Sequence, residues 1–122
     1  LARGASAGFL GGMPPEVRFL YVTVPERQVG LDLARQLVGE ALVACGNLLG
    51  PVTSVYEWKG EQTESEELVL LLKTRKELVE RVSDRVAELH PYECPCIVEL
   101  PLGAVHAPFA AWVAERTERS VG

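Results

Sequence analysis

The segment from His90 to Cys96, HPYECPC, holds the densest set of side chains that can do chemistry. His90 supplies an imidazole, and Cys94 and Cys96 supply two thiols on the same side of an extended segment. Imidazole and thiolate together prefer Cu(I) or Zn²⁺ over Mg²⁺ or Ca²⁺. The sequence therefore predicts a metal site made by His90, Cys94 and Cys96. The alternative is structural: His90 ends a helix, and both cysteines are small apolar residues at the start of a strand.

A second group of side chains points to ligand binding. Tyr56 and Trp58 fall on one face of a predicted strand, where they either line a cleft or pack between strands or subunits. Tyr92 and Glu93 place a phenol and a carboxylate beside His90, a combination suited to a metal or an anion. The sequence contains no GxGxxG, Walker A, GxSxG or HExxH motif. We therefore predict that the protein is not an enzyme.

Length, charge and cysteine usage exclude several classes of protein. The 122 residues are enough for one domain with its own core. The net charge is −5 and no Lys/Arg stripe occurs, so we expect no nucleic-acid partner. The longest aliphatic run, Leu68 to Leu72, is too short to cross a membrane. Three cysteines form no disulfide framework, which predicts a reducing, cytoplasmic setting.

The elements that must position these residues follow from the hydrophobic pattern. Residues 1–15 are rich in Gly, Ala and Pro, and we interpret them as a disordered leader or tag remnant before a domain at 16–118. Periodicity and turn residues predict seven elements. These are a strand at Val17–Val24, a helix from Glu26 to about Val43, strands at Val52–Lys59 and Ser65–Lys73, a helix ending before Pro91, a strand at Ile97–Leu100 and a helix at Pro108–Arg116.

This order predicts an α+β fold, a ferredoxin-like βαββαβ sandwich with an antiparallel sheet, an extended β-hairpin and a C-terminal helix. Thr74 to Glu77 fits a capping box at the start of the second helix. Two helices cover only one face of such a sheet. Because Phe19–Val22 and Leu68–Leu72 are apolar on both faces, either the C-terminal helix or another subunit must cover the second face. One helix of about ten residues is small for that task, so we expect another subunit.

Five sequence features together resemble the CutA1 divalent-cation-tolerance family between Val17 and Trp112. In chain order they are ALVACGNLL, SVYEWKG, Glu67 six residues before Lys73-Thr74, HPYE, and Trp112. The resemblance implies a ferredoxin-like subunit in a homotrimer, similar in architecture to PII signalling proteins. It also implies a non-catalytic role in tolerance of divalent metals such as copper, with copper or another divalent cation as a ligand.

The family's proposed copper ligands are only partly present. In bacterial relatives they are a Cys just before a Thr-x-Pro and two consecutive His before Pro-Tyr. The corresponding positions here are Val22 and Leu89-His90, so only His90 matches. Cys96 stands where the family usually has Glu, which removes a carboxylate and supplies a thiol. The resemblance therefore leaves a softer site at His90, Cys94 and Cys96 open.

Two further functions remain as alternatives. The first is a PII-like trimeric sensor that binds a small anion in the cleft between subunits, with Trp58, Glu67 and Lys73 as ligand contacts and Tyr92 and Glu93 beside them. The second is an interaction scaffold without a small-molecule ligand.

Overall fold

The computed structural model describes residues 15–122, so nearly all of the predicted leader lies outside the described residues. It contains four strands and three helices. One short 3₁₀ turn precedes the second helix, and another follows the third helix. The elements are β1 (Val17–Val24), α1 (Arg27–Gly39), β2 (Cys45–Trp58), β3 (Glu61–Arg75), a 3₁₀ turn (Lys76–Leu78), α2 (Val79–Leu89), β4 (Ile97–Leu100), α3 (Ala107–Arg116) and a 3₁₀ turn (Glu118–Ser120).

The strands form one antiparallel sheet in the order β2-β3-β1-β4. This order places the two central strands, β3 and β1, between two edge strands, and it confirms the predicted α+β fold. Leu20, Val22 and Val24 of β1 alternate with half-buried residues and pack under α1 and α2. We call the side of the sheet that carries these three residues the helix face, and the opposite side the second face.

The second face is covered only in part. Val17 and Phe19 of β1 pack against Ala110 and Val113 of α3 in a small separate cluster. Further along the same face lie Tyr21, which pairs with Leu71, and exposed Leu49 and Val98. The C-terminal helix therefore covers one end of this face and leaves apolar side chains at the other.

Strand β2 is longer than predicted. It begins at Cys45, because Gly46 and the Gly50-Pro51 pair do not end the strand. A Cβ on Gly46 would approach Leu70 Cδ1 to 3.3 Å, so glycine permits close packing over the core here. Gly50 and Pro51 lie in a bulge, where the register shifts between Leu49 and Val52. Gly50 has φ +132, and an added Cβ there would lie 3.2 Å from Leu68 Cα.

Two helix boundaries also differ from the prediction. Helix α1 ends at Gly39 rather than near Val43, and the apolar residues after it form a buried connection in which Ala41 has φ 57. The predicted capping box is wrong. Thr74 is the fully buried penultimate residue of β3, and its Oγ1 donates to the Leu42 carbonyl at 2.7 Å. A hydroxyl that anchors the α1–β2 connection is not available to cap a helix.

The hairpin of β2 and β3 turns through Lys59 and Gly60, which have φ 51 and φ 85. Two central residues with positive φ are typical of the type I′ turn, whose twist matches that of the strands. Trp58 therefore pairs with Glu61 and Tyr56 with Thr63. The predicted hairpin is confirmed, and its end carries the aromatic side chains away from the core.

Candidate functional site

The site is a cleft of about 480 Å³ on the second face, between the hairpin and the segment after α2. Along β3, Thr63 and Glu67 alternate with residues that point to the other side, so both belong to the second face. Thr23 closes the cleft from the end of β1. The lining residues are Thr23, Tyr56, Trp58, Thr63, Glu67, Pro91, Tyr92, Glu93, Cys94 and Cys96.

A hydrogen bond joins the two walls of the cleft. The Tyr92 hydroxyl donates to Glu67 Oε2 at 2.7 Å, and the Glu67 residue is only 7% exposed. Burial raises the pKa of Tyr92 above its usual range, and the hydrogen bond to Glu67 raises it further. Tyr92 is therefore a neutral donor at physiological pH. A buried carboxylate with a single side-chain donor keeps an acceptor oxygen for a ligand.

His90 holds the segment after α2 against β1. Its Nε2 lies 2.8 Å from the Thr23 carbonyl oxygen, and its Nδ1 accepts a hydrogen bond from the Tyr92 backbone N–H at 3.1 Å. A ring that accepts at Nδ1 and faces a carbonyl at Nε2 is neutral and carries its proton on Nε2. The ring also lies against Tyr92, with centroids 4.7 Å apart. His90 is 7% exposed, does not line the cleft, and has both nitrogens engaged.

Cys94 and Cys96 are both exposed, have free thiols and line the cleft. Cys45 lies elsewhere, on β2 beside Lys73, and burial raises the pKa of its thiol. Between residues 15 and 122, no group of three or more His, Cys, Asp or Glu side chains is arranged to hold one metal ion. The structure thus brings the two predicted thiol ligands to one cleft, but it does not add His90 to them.

Four of the five predicted ligand-cleft residues lie together: Trp58, Glu67, Tyr92 and Glu93. Lys73 does not join them. Its ammonium group lies 5.1 Å from the Phe19 ring centroid and 5.8 Å from that of Phe109, under α3. Thr23 and Thr63 also line the cleft and were not predicted from the sequence. The position of Thr63 was predictable, because a two-residue turn at Lys59-Gly60 pairs Thr63 with Tyr56 across the hairpin.

Comparison with known proteins agrees with this fold. The sequence model of the family described as CutA1 divalent ion tolerance protein matches residues 18–116. This chain belongs to that family. The matched range includes nearly all of β1, the hairpin, the HPYE segment and the whole of α3. The predicted resemblance is therefore confirmed.

Relatives at 38–41% identity come from distant organisms. The chain is 38% identical to human Protein CutA over 93% of its own length and 64% of the human protein. It is 41% identical to the divalent-cation tolerance protein CutA of Thermus thermophilus, over 79% of this chain and 93% of that protein. It is 40% identical to a chloroplastic CutA of Arabidopsis thaliana, over 80% of this chain and 54% of that protein. The chain thus spans less than two-thirds of the human and plant relatives.

Solved CutA structures share the fold. The Thermus thermophilus protein superimposes with a TM-score of 0.79 at 39% identity, over 83% of this chain and 98% of that one. A protein of Archaeoglobus fulgidus described as periplasmic gives 0.80 at 31% identity, over 83% and 98%. Relatives thus carry chloroplastic and periplasmic names, which leaves the cytoplasmic setting a prediction. Among the described helices, none has the length and hydropathy needed to span a membrane.

Proposed function

We propose that this CutA1 protein acts in divalent metal tolerance as a non-catalytic homotrimer that binds copper or a related ion at the cleft. The observation that carries the proposal is the family match over residues 18–116. The local support is the pair of free thiols, Cys94 and Cys96, on one cleft wall. Free thiols also fit a reducing compartment, which supports a cytoplasmic protein.

Cys94 and Cys96 are the primary ligands in this proposal. Two thiolates fit a soft ion such as Cu(I), which accepts few ligands, better than Mg²⁺ or Ca²⁺, which need six or more oxygens. His90 completes the predicted set only if its ring gives up the contact with the Thr23 carbonyl or with the Tyr92 amide. We therefore expect His90 to contribute less to affinity than either thiol.

The homotrimer is proposed on the exposed part of the second face. Leu49 and Val98 are each 47% exposed there, on the two edge strands of the sheet. Strand β2 has 14 residues, and a long open edge pairs readily with another chain. Apolar side chains beside an unpaired edge support burial against further copies of the subunit.

The metal proposal is tested by anaerobic titration with a competing Cu(I) chelator. Wild type is compared with the double variant Cys94→Ser/Cys96→Ser and with Cys45→Ser, a matched control outside the cleft. We expect the double variant to lose tight binding and the control to keep it. Binding of the wild type should weaken as the pH falls, because thiols must lose their protons to ligate. Equal affinities for wild type and the double variant would contradict the proposal.

The absence of catalysis is tested separately. We expect no turnover in a broad screen of hydrolase and phosphatase substrates, since the imidazole of His90 is committed to two backbone groups. Turnover that is abolished by Cys94→Ser, Glu67→Gln or His90→Ala would overturn this part of the proposal.

A second candidate function is a PII-like trimeric sensor that binds a small molecule in the cleft. The observation that favours it is the assembly of Trp58, Glu67, Tyr92 and Glu93 around one volume. The position of Lys73 under α3 argues against the anionic ligand expected from sequence.

A further inference from the structure

The lining of the cleft combines aromatic rings with carboxylates. We propose that it binds a small organic cation, an alkylammonium group held among the rings of Tyr56, Trp58 and Tyr92 and the carboxylates of Glu67 and Glu93. This inference does not depend on the metal proposal, because it uses neither cysteine.

The three rings reach the cleft from two different walls. Tyr56 and Trp58 are two residues apart on β2, so they lie side by side on the second face, about 7 Å apart along the strand. In the single subunit they are 42% and 45% exposed, which leaves ring surface there for a ligand. Tyr92 faces them from the segment after α2, with its hydroxyl tied to Glu67. Aromatic rings around one site bind quaternary and alkylated ammonium groups through their negative faces.

The charge of the cleft has one sign. Among the described residues that line it, Glu67 and Glu93 are acidic and none is Lys, Arg or His. Tyr92 stays neutral because its pKa is raised. A buried carboxylate favours a cationic partner, since an unpaired charge is costly to bury. The same lining repels carboxylate and phosphate ligands.

A hard metal ion fits this lining less well than an organic cation. Mg²⁺ and Ca²⁺ need six or more oxygen ligands, whereas the cleft offers two carboxylates and apolar ring surface. The volume of about 480 Å³ is within the range of small-molecule sites. An ammonium carrying alkyl groups uses both parts of the lining, the rings for its carbons and the carboxylates for its charge.

One ammonium group already lies near a ring of the site. Lys59 Nζ is 5.8 Å from the centroid of the Trp58 ring, a distance at which cation–π attraction operates. Lys59 therefore supplies, from within the chain, the same cation–π contact that we assign to a free ligand. The variant Lys59→Met separates the two sources, because it removes the internal ammonium and leaves the ring.

The experiment is a titration with tetramethylammonium chloride, followed by the indole N–H signals in two-dimensional NMR and by calorimetry. Sodium chloride at equal concentration controls for ionic strength, and sodium acetate controls for anion binding. The chain has two tryptophans, and Trp112 lies on α3, packed against the small cluster of Val17 and Val113, so its signal is an internal control. We expect Trp58 to shift with saturation in tetramethylammonium, and neither Trp58 nor Trp112 to shift in acetate.

Variants assign the binding to the cleft. We expect Trp58→Leu and Glu67→Gln each to weaken tetramethylammonium binding roughly five- to tenfold. Trp58→Leu removes the ring and keeps an apolar side chain, whereas Glu67→Gln keeps the shape of the site and an acceptor for Tyr92. Val55→Ala, which lies on the opposite side of the hairpin, should bind as wild type does.

Three results would overturn the proposal. These are a Trp58 shift no larger than sodium chloride produces, saturable binding of acetate at the same site, and unchanged affinity in both Trp58→Leu and Glu67→Gln. Saturable binding that is lost in the two cleft variants supports it. Unchanged affinity in Lys59→Met then identifies a free ligand as the occupant, and an increase of several fold identifies Lys59 as a competing internal cation.

Discussion

Glu67 illustrates how one side chain can serve both stability and binding. It lies beside the bulge of β2, pairs with Val52 in the register, and is held by the Tyr92 hydroxyl across the cleft. Glu67 is only 7% exposed, so its carboxylate has lost most of its hydration, and this single side-chain donor compensates for that loss. Loss of the donor should therefore affect both the fold and the position of the segment after α2.

The variant Tyr92→Phe should lower the free energy of unfolding by about 1–3 kcal/mol, because it leaves the buried Glu67 carboxylate without its donor. The matched control is Tyr56→Phe, whose more exposed hydroxyl makes a longer bond of 3.2 Å to Ser65 Oγ. The control should change stability by less than about 0.5 kcal/mol. Urea unfolding followed by circular dichroism measures both. Equal effects of the two variants would contradict the role assigned to this bond.

At the scale of elements, two arginines join parts that are distant in sequence. Arg75, at the end of β3, is 8% exposed and donates through Nε to Thr117 Oγ1 at 3.0 Å and through Nη2 to the Ala114 carbonyl. Arg85 of α2 makes a bidentate pair with Glu40, just after α1, with distances of 2.9 and 2.7 Å. The first arginine anchors the C-terminal helix, and the second connects the two helices of the helix face.

Replacement of Arg75 by Met should loosen α3. The variant leaves the Thr117 hydroxyl and the Ala114 carbonyl without their charged partner, at a cost of about 1.5–3 kcal/mol. We expect faster amide hydrogen exchange in residues 107–116, with smaller changes in α1. Arg116→Met, which removes an exposed pair with its neighbour Glu115, is the control and should change exchange little. Uniform acceleration in both variants would show that Arg75 has no specific role.

The Glu40–Arg85 pair should make stability depend on pH in the acid range. The hydrogen bonds from Arg85, and then that from Gln36, lower the pKa of Glu40 from 4.5 to about 2. Because the pKa is lower in the folded state, the stabilisation is complete above about pH 4.5 and is lost as the pH falls through about 2. Glu40→Gln should therefore be less stable than wild type at pH 6, and the difference should shrink towards pH 2. Thermal unfolding at several pH values measures this.

The control for the acid titration is Glu115→Gln, since its partner Arg116 is exposed and the pair is adjacent in sequence. It should change stability by less than about 0.5 kcal/mol at either pH. A constant difference between wild type and Glu40→Gln across the range would contradict the assignment.

At the scale of the whole molecule, the two faces of the sheet are covered unequally by helices, and this difference determines where subunits can associate. The helix face is closed by α1 and α2, whereas α3 closes only one end of the second face. Leu70 belongs to the helix face and is 1% exposed. A charge there would unfold the subunit, so it does not test assembly. Leu49 and Val98 on the second face are the informative positions.

We expect Leu49→Lys and Val98→Lys to dissociate the proposed trimer, because burial of an unpaired ammonium in an interface costs several kcal/mol. Val38→Lys is the matched control, since Val38 is 43% exposed on α1, away from the second face. Light scattering coupled to gel filtration should give a trimer for wild type and the control, and smaller species for the two variants. A wild-type monomer at micromolar concentration would contradict the trimer.

Local pattern was sufficient for much of the fold. The bounds of β1 and β4 agree with the prediction because six of the eight residues of β1 are β-branched or aromatic, and Ile97–Leu100 lies between prolines, which favours strands without help from elsewhere. The end of α2 before Pro91 agrees because proline cannot continue a helix. The HPYECPC segment and the aromatic residues of the hairpin were also recognisable from residue type alone.

Long-range packing decided the rest. Cys45 to Pro51 became strand because β3 offered a ladder partner and Gly46 allowed close approach to the core, which no local signal contains. Thr74 does not form the predicted helix cap, because its hydroxyl donates to the carbonyl of Leu42, 32 residues earlier. His90 was fixed by Thr23, 67 residues earlier, and Lys73 was held by two rings under α3. Sequence thus determined which groups reach the cleft region. Tertiary contacts determined which of them remain free, because each hydrogen bond or ring contact made elsewhere removes a side chain from the site.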